Sequence, residues 1–166
     1  MKIRSELPSD ASAIATVTTA AFRNAAHTDH TEQFIVRELR NSGALSVSFV
    51  AEDDGAVIGH VAVSPVTISN GTAGWYGLGP ISVQPERQGA GVGTQLMRAA
   101  LDQLQSSGAS GCVVLGEPAY YSRFGFVVAP GLVLPGVPPE YFQAISFKGP
   151  HPTGTVSYHE AFEAKA

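Results

Sequence analysis

Gln88-Gly89-Ala90-Gly91-Val92-Gly93 separates the apolar run Ile81-Ser82-Val83 from a stretch with helical periodicity that begins near Gly91. The three glycines keep side chains away from the backbone, so N–H groups at the start of a helix can surround an anion. The segment therefore predicts a strand-to-helix turn that binds a phosphate group. The alternative is that its glycines only permit a tight turn.

Two familiar phosphate-binding motifs do not fit this segment. A Walker A loop places a lysine and then serine or threonine after its last glycine, whereas Thr94-Gln95 follows Gly93 here. A dinucleotide-binding motif has a different glycine spacing and an acidic residue about 20 positions later, where this chain is apolar around Val113. A switch protein that binds ATP or GTP is therefore disfavoured. If the segment binds a phosphate group, that group belongs to another class of ligand.

Composition and charge limit the class of protein. The 166 residues include 44% hydrophobic residues and carry a net charge of −4. This length fits one domain, and we expect residues 1–166 to form one. No apolar run has the length of a membrane span, the N-terminal segment does not resemble a signal peptide, and an acidic chain is a poor partner for nucleic acid. We expect a cytoplasmic protein without a membrane or nucleic-acid partner.

Cysteine and histidine give no indication of metal chemistry. The single cysteine, Cys112, lies in an apolar run and is predicted to be a buried small side chain rather than a nucleophile. His27, His30, His151 and His159 lack metal-ligand spacing. We predict no metal site.

Hydrophobic periodicity predicts an alternation of helices and strands. Predicted helices follow Ser9-Asp10, cover 31–40, run from about Gly91 to Ser106, and cover 119–124. Predicted strands cover 45–51, 56–63, 75–83, 112–115, 126–128, 144–147 and 154–158, with a proline-rich loop over 130–139. This order predicts an α/β fold, a mixed sheet with helices on both faces.

One predicted strand has an irregular interior. Gly77-Leu78-Gly79-Pro80 interrupts strand 75–83, and glycine and proline weaken strand pairing. We predict a bulge or splay there, which would open a cleft beside a parallel neighbour. The glycine-rich turn follows the same strand, so it is expected at that cleft.

Two motifs resemble those of the GNAT-type N-acetyltransferase superfamily. They are Gln88-Gly89-Ala90-Gly91-Val92-Gly93 and Tyr121-Ser122-Arg123-Phe124-Gly125-Phe126, with a helix and a strand between them. The longer stretch 115–126, and Gly154-Thr155-Val156-Ser157-Tyr158-His159 near the C-terminus, resemble its YhbS-like branch of predicted acetyltransferases. The resemblance covers essentially the whole chain. It implies a mostly antiparallel sheet with one splayed parallel strand pair.

The resemblance implies acetyl-CoA as co-substrate and a primary amine as acceptor, with direct attack on the thioester and no covalent enzyme intermediate. Tyr121 would be the general acid that protonates the CoA thiolate, since a phenol has a pKa of about 10 and a thiol about 8.5. The alternative is that Tyr121 only packs. The implied CoA-binding residues are Ile81, Ser82, Val83, Arg87, Gln88, Gly89, Ala90, Gly91, Val92, Gly93 and Thr94.

Other polar residues near the motifs have weaker assignments. Glu117 could act as a base or orient a water, or it could cap the helix that begins at Pro118. Tyr120 is expected to point elsewhere than Tyr121, and to pack or touch substrate. Arg123 could reach a CoA phosphate, but Arg87 abuts the loop and is the better candidate.

Two functions from different classes stay open. The first is an N-acetyltransferase, acting on a small molecule or on a protein amine. The second is an acyl-CoA sensor or pseudoenzyme that retains the binding loop. Nothing in the sequence identifies the acceptor, and a homodimer is expected only from the resemblance. His60, midway along a predicted strand, is expected to be structural.

Overall fold

The structure is a computed structural model that describes residues 1–26 and 28–166; His27 lies outside the described residues. The helices are α1 (Ala11–Phe22), α2 (Glu32–Asn41), α3 (Val92–Ser106) and α4 (Pro118–Tyr121). The strands are β1 (Lys2–Ser5), β2 (Val47–Asp53), β3 (Ala56–Pro65), β4 (Thr67–Ile68), β5 (Trp75–Val83), β6 (Gly111–Leu115), β7 (Leu132–Val133), β8 (Phe142–Ser146) and β9 (Gly154–Ser157).

Six strands form the central sheet in the order β1-β2-β3-β5-β6-β8. Every neighbouring pair is antiparallel except β5 and β6, which run parallel because α3 crosses over between them. The predicted mixed sheet with one parallel pair is confirmed. A smaller sheet, in the order β4-β9-β7, packs beside it.

Helices cover both faces of the central sheet, as predicted. Because side chains alternate across a strand, neighbouring residues of β2 belong to different cores. Val50 packs with Ile14 of α1 and Val36 of α2. Ala51 belongs to the cluster that contains Met97 of α3. Apolar periodicity in both the strands and the helices therefore specifies this layering.

The predicted irregularity of β5 is confirmed and opens the sheet. Val61 pairs with Ile81 and Val63 with Leu78, so β5 has one more residue than β3 over this interval. Pairing between β5 and β6 ends at Leu78 and Val114. Across the described chain, residues 79–83 have no ladder partner on the β6 side. A cleft begins where the two strands separate.

Several details of the strand prediction differ from the structure, and the two-residue strand β4 was not predicted. The strand predicted over 126–128 is wrong, because Val127 makes only an isolated bridge to Ala144 and its side chain is exposed. The loop predicted over 130–139 contains the two-residue strand β7. The last predicted strand, β9, joins the smaller sheet, and β1 was not predicted because its four residues are too few to show a clear period.

Candidate functional site

A pocket of about 460 Å³ lies over the glycine-rich turn, and we call it the loop pocket. It is lined by Val83, Arg87, Gln88, Gly89, Gly91, Gly93, Thr94, Tyr120 and Arg123. The loop pocket therefore brings together residues of two motifs that are about thirty positions apart in the sequence. The sequence prediction placed the turn at the cleft, and the pocket lies at the end of β5, at the far end of the residues 79–83 that line the separation.

The glycines of the turn have different structural roles. Gly89 and Gly91 have φ values of 81° and 87°, and a Cβ at either position would meet no atom within 4 Å. They permit a left-handed backbone beside open space. Gly91 is the N-cap residue of α3 and has no side chain to cap the first turn, so N–H groups there remain available to an anion.

Gly93 makes room for a tyrosine. A Cβ at this position would lie 2.9 Å from the hydroxyl oxygen of Tyr120. Tyr120 was expected to point elsewhere than Tyr121 and to pack or touch substrate, and the structure places its side chain in the wall of the loop pocket. Burial raises the pKa of Tyr120, while the Arg123 charge and the Thr94 hydroxyl act in the opposite direction.

The two arginines of the loop pocket differ in their partners. Nη1 of Arg87 lies 2.6 Å from Oδ2 of Asp53, so this guanidinium is already paired. Arg123 lies over the rings of Tyr120 and Phe124, at 5.4 and 5.7 Å from their centroids. Within the described residues it has no carboxylate partner. Arg123 is therefore the cation without an ion pair, and the preference for Arg87 as the phosphate contact stays a prediction.

The other residues assigned to CoA binding occupy different positions. Nε2 of Gln88 donates to the carbonyl oxygen of Val83, at 3.1 Å, which joins the turn to the end of β5. Ile81 and Ser82 lie on the β5 segment that has no ladder partner on the β6 side. Ala90 is exposed in the turn, whereas Val92 is buried in the core below it.

Tyr121 lies deeper than Tyr120, at the carboxyl end of β6. A Cβ on Gly116, the residue after β6, would lie 2.7 Å from Cε2 of Tyr121. The Tyr121 ring meets those of Tyr120 and Phe126 edge-on, at centroid distances of 5.0 and 6.2 Å. Burial raises the pKa of Tyr121 to about 12. The hydroxyl is therefore protonated at neutral pH.

Glu117 is exposed at the start of α4. Its backbone carbonyl accepts from the N–H groups of Tyr120 and Tyr121, but its carboxylate makes no capping hydrogen bond. The capping alternative for this side chain is not supported. Glu117 does not line the loop pocket, and its role as a base stays a prediction.

His60 is fully buried among polar groups on the α1 face of the sheet. Its Nε2 lies 2.8 Å from the hydroxyl of Ser48, which donates to Glu6, and Glu6 accepts two hydrogen bonds from Arg40. We call these four residues the buried polar cluster; His60 is fully buried, whereas Glu6, Arg40 and Ser48 are part-exposed and line a second pocket, of about 380 Å³. Burial lowers the pKa of His60 to about 4, the Glu6 charge opposes this effect, and Arg40 adds to it. His60 is structural, as expected.

Tyr158 was not predicted as a site residue, although its motif was noticed. A Cβ on Gly77 of β5 would lie 2.5 Å from Cε1 of Tyr158, so the ring covers this glycine. Gly77 pairs with Val113 of β6, one pair before the strands separate. The available sequence signal was a glycine inside a strand, which often marks the close approach of another group.

The described residues contain no group of three or more histidine, cysteine, aspartate or glutamate side chains that could hold a metal ion. In the same residues, no helix is long and apolar enough to cross a membrane. The prediction of a metal-free protein stays a prediction.

Comparison with known proteins identifies the family. Residues 44–128 match the acetyltransferase (GNAT) domain family. The chain is 41% identical over 130 residues to the N-acetyltransferase YhbS of Escherichia coli, covering 78% of this chain and 75% of the relative.

Two solved structures share the architecture over nearly the full length. A GNAT family acetyltransferase from Brucella melitensis in complex with acetyl-CoA is 49% identical, with a TM-score of 0.87 and 97% coverage of both chains. YhbS from Escherichia coli in complex with CoA is 36% identical, with a TM-score of 0.87 and coverage of 99% of this chain and 93% of that one. This chain belongs to the GNAT acetyltransferase family.

Proposed function

We propose that the protein transfers an acetyl group from acetyl-CoA to a primary amine, by direct attack in a ternary complex. The observation that carries the proposal is the separation of β5 and β6, which has both the loop pocket and Tyr121 beside it. The relatives crystallised with acetyl-CoA and CoA support the choice of donor. Residues 1–166 are proposed to form one acetyltransferase domain, and a homodimer stays a prediction.

The residues present fit a CoA donor. Free N–H groups at the start of α3 and the unpaired guanidinium of Arg123 suit a pyrophosphate. The open space over Gly89 and Gly91 leaves room for it. Backbone groups of residues 79–83, without a ladder partner on the β6 side, suit the amides of the pantetheine arm. In this proposal, the thioester of a donor bound along this edge lies next to Tyr121.

In the proposed reaction, a neutral amine attacks the thioester carbonyl, a C–N bond forms and the C–S bond breaks. Tyr121 gives its proton to the leaving sulfur and regains one from solvent. A pKa of about 12 makes Tyr121 a weaker acid than an exposed phenol. The positive charge that develops on the attacking nitrogen lowers this pKa during the reaction, because a nearby cation favours the phenolate. Glu117 is proposed as a residue that orients the amine through water.

The test measures CoA thiol release with a panel of peptide and small primary amines. Tyr121→Phe keeps the ring and its packing, so we expect kcat to fall by about 10²- to 10³-fold with CoA affinity unchanged. Tyr141→Phe is the matched control, because this tyrosine is exposed and its loss should leave kcat unchanged.

Three outcomes would contradict parts of the proposal. An equal loss of CoA affinity in Tyr121→Phe would assign Tyr121 to binding. Unchanged kcat in that variant would remove its role as the acid. Tight CoA binding by the wild-type protein without turnover on any amine would favour the acyl-CoA sensor.

A further inference from the structure

A second tyrosine, in addition to Tyr121, lies beside the point where β5 and β6 separate. Tyr158, which follows β9, covers Gly77 of β5 at the pair of residues just before the strands part. Its ring packs against that of Phe162 at a centroid distance of 4.9 Å. Phe162 belongs to a short turn that packs on Ile35 and Leu39 of α2. The ring of Tyr158 is therefore held in place by both sheets and by a helix.

Tyr121 and Tyr158 approach the separation from opposite faces of the central sheet. Tyr121 packs with the α3-side cluster, which contains Cys112 and Val114 of β6. Tyr158 packs with the cluster that contains Val113. Because successive side chains of a strand point to opposite faces, these two clusters lie on opposite sides of β6. One phenol is therefore on the α3 side of the cleft and the other is on the far side.

The hydroxyl of Tyr158 is available for a ligand. Within the described residues it makes no hydrogen bond, and it is not among the fully enclosed polar atoms that lack a partner. Burial raises the pKa of Tyr158 far above its ordinary value, and the Cys112 and Tyr121 groups act in the same direction. It is a neutral phenol with a free oxygen lone pair. Such a group can accept a hydrogen bond from an N–H.

The chemistry of acyl transfer requires groups on two sides of the thioester carbon. The loop pocket and Tyr121 lie on the α3 side, so the donor and its leaving sulfur belong there. A nucleophile must reach the same carbon from another direction. We propose that Tyr158 positions the acceptor, its hydroxyl oxygen accepting a hydrogen bond from the attacking amine on the face of the sheet opposite Tyr121.

This assignment rests on the proposed function and adds a residue to it. Tyr158 keeps its proton throughout, and its hydrogen bond turns the nitrogen lone pair towards the carbonyl carbon. The ammonium proton leaves to solvent. A primary amine retains an N–H for this contact during attack, whereas a tertiary amine has none. The acceptor class that fits Tyr158 is therefore an amine with at least one N–H, which includes the primary amine of the proposed function.

The first experiment is kinetic and uses the amine that the wild-type protein acetylates best. Tyr158→Phe preserves the ring over Gly77, so we expect KM for the amine to rise about tenfold while KM for acetyl-CoA and kcat change by less than about twofold. Tyr141→Phe is the control and should change neither KM. An unchanged amine KM in Tyr158→Phe would overturn the proposal, as would an equal rise in KM for acetyl-CoA.

The second experiment does not depend on turnover. The chain has five tyrosines, so labelling each ring carbon that carries the hydroxyl gives five NMR signals, which single phenylalanine variants assign. CoA should shift the Tyr120 signal, acetyl-CoA should in addition shift that of Tyr121, and the acceptor amine added in the presence of CoA should shift that of Tyr158. A Tyr158 signal that stays fixed on addition of the amine, while CoA and acetyl-CoA shift the other two, would overturn the proposal alone. If no tyrosine signal moves with CoA or acetyl-CoA, the proposed function falls and the role of Tyr158 falls with it.

Discussion

The loop pocket and the buried polar cluster both contain charged and hydroxyl side chains, but they differ in how many of these groups have a hydrogen-bond partner within the protein. In the buried polar cluster, Arg40, Glu6, Ser48 and His60 bond to one another in a continuous series, which leaves only Nδ1 of His60 without a partner among the cluster's described side-chain atoms that are buried. In the loop pocket, the first turn of α3 and the guanidinium of Arg123 have no such partners within the described residues. Groups that satisfy each other stabilise the fold, whereas groups left free beside a cavity are ready for a ligand.

This comparison makes Gly91→Val the most damaging change for ligand binding. The position has a φ of 87°, which a β-branched residue tolerates poorly, and the new side chain would occupy the open space of the loop pocket. We expect CoA affinity to fall on the order of a thousandfold, about 4 kcal/mol. Isothermal titration with CoA measures it.

Gly71→Val is the matched control for this prediction. Gly71 has the same φ of 87° and open space around its Cβ position, but it lies in the turn before β5, outside the loop pocket. Both variants should lose similar thermal stability, and only Gly91→Val should lose CoA affinity. If the two variants bind CoA equally well, the turn does not bind the donor phosphates.

Sequence patterns predicted the region around the loop pocket better than the face of the sheet that α1 covers. The glycine spacing, the irregular centre of β5 and the tyrosine motif are local features, and each is found where it was expected. The buried polar cluster joins residues 6, 40, 48 and 60, which no local pattern relates. Tyr158 meets Gly77 across 81 positions. Contacts of this kind depend on how the two sheets and α2 pack together, so they required the structure.

The orientation of Tyr120 shows a different limit of sequence analysis. Helical geometry correctly separates the directions of Tyr120 and Tyr121, but it does not say which of them faces the loop. Gly93 decides this, because its missing side chain leaves space for the Tyr120 hydroxyl. The same glycine had been assigned to phosphate binding. Within one motif, Gly93 therefore makes room for a neighbouring side chain, whereas Gly89 and Gly91 border the open space of the loop pocket.

The buried polar cluster should make the stability of the protein depend on pH. Burial lowers the pKa of His60 to about 4 from its ordinary value of 6.5, so the unfolded chain takes up a proton that the folded protein excludes. Stability is complete above pH about 6.5 and is lost as the pH falls towards about 4, by roughly 3 kcal/mol in total. Burial opposes ionisation of Glu6, but Arg40 and Ser48 outweigh it and keep its pKa below the ordinary value of 4.5, so its contribution is lost as the pH falls below that value.

Urea unfolding between pH 7 and pH 4 tests this expectation. His60→Gln cannot titrate, so its stability should vary less over that range, although it starts lower at pH 7. His30→Gln is the control, since His30 is exposed and the wild-type slope should persist in it. Equal slopes in the wild type and His60→Gln would show that His60 is not held neutral by its buried position.

The smallest expected effect concerns the two arginines of the loop pocket. Arg123 has no carboxylate partner in the described part of the chain, whereas Arg87 lies 2.6 Å from Asp53. A guanidinium that is free can bind a phosphate without first giving up an ion pair. We expect Arg123→Ala to weaken CoA binding about tenfold, and Arg87→Ala to weaken it by less. The effect of Arg123→Ala should shrink at high salt, because exposed charges are screened.

Arg98→Ala is the control for Arg123→Ala, since the Arg98 guanidinium also lies over the Phe124 ring, at 5.4 Å, but does not line the loop pocket. It removes a similar cation–π contact and the same charge, and it should leave CoA affinity unchanged. Equal losses in Arg98→Ala and Arg123→Ala would mean that the overall charge of this surface matters rather than one contact. A larger loss in Arg87→Ala would mean that Asp53 releases its partner when the donor binds, and that pairing in the free protein does not predict which cation meets the phosphate.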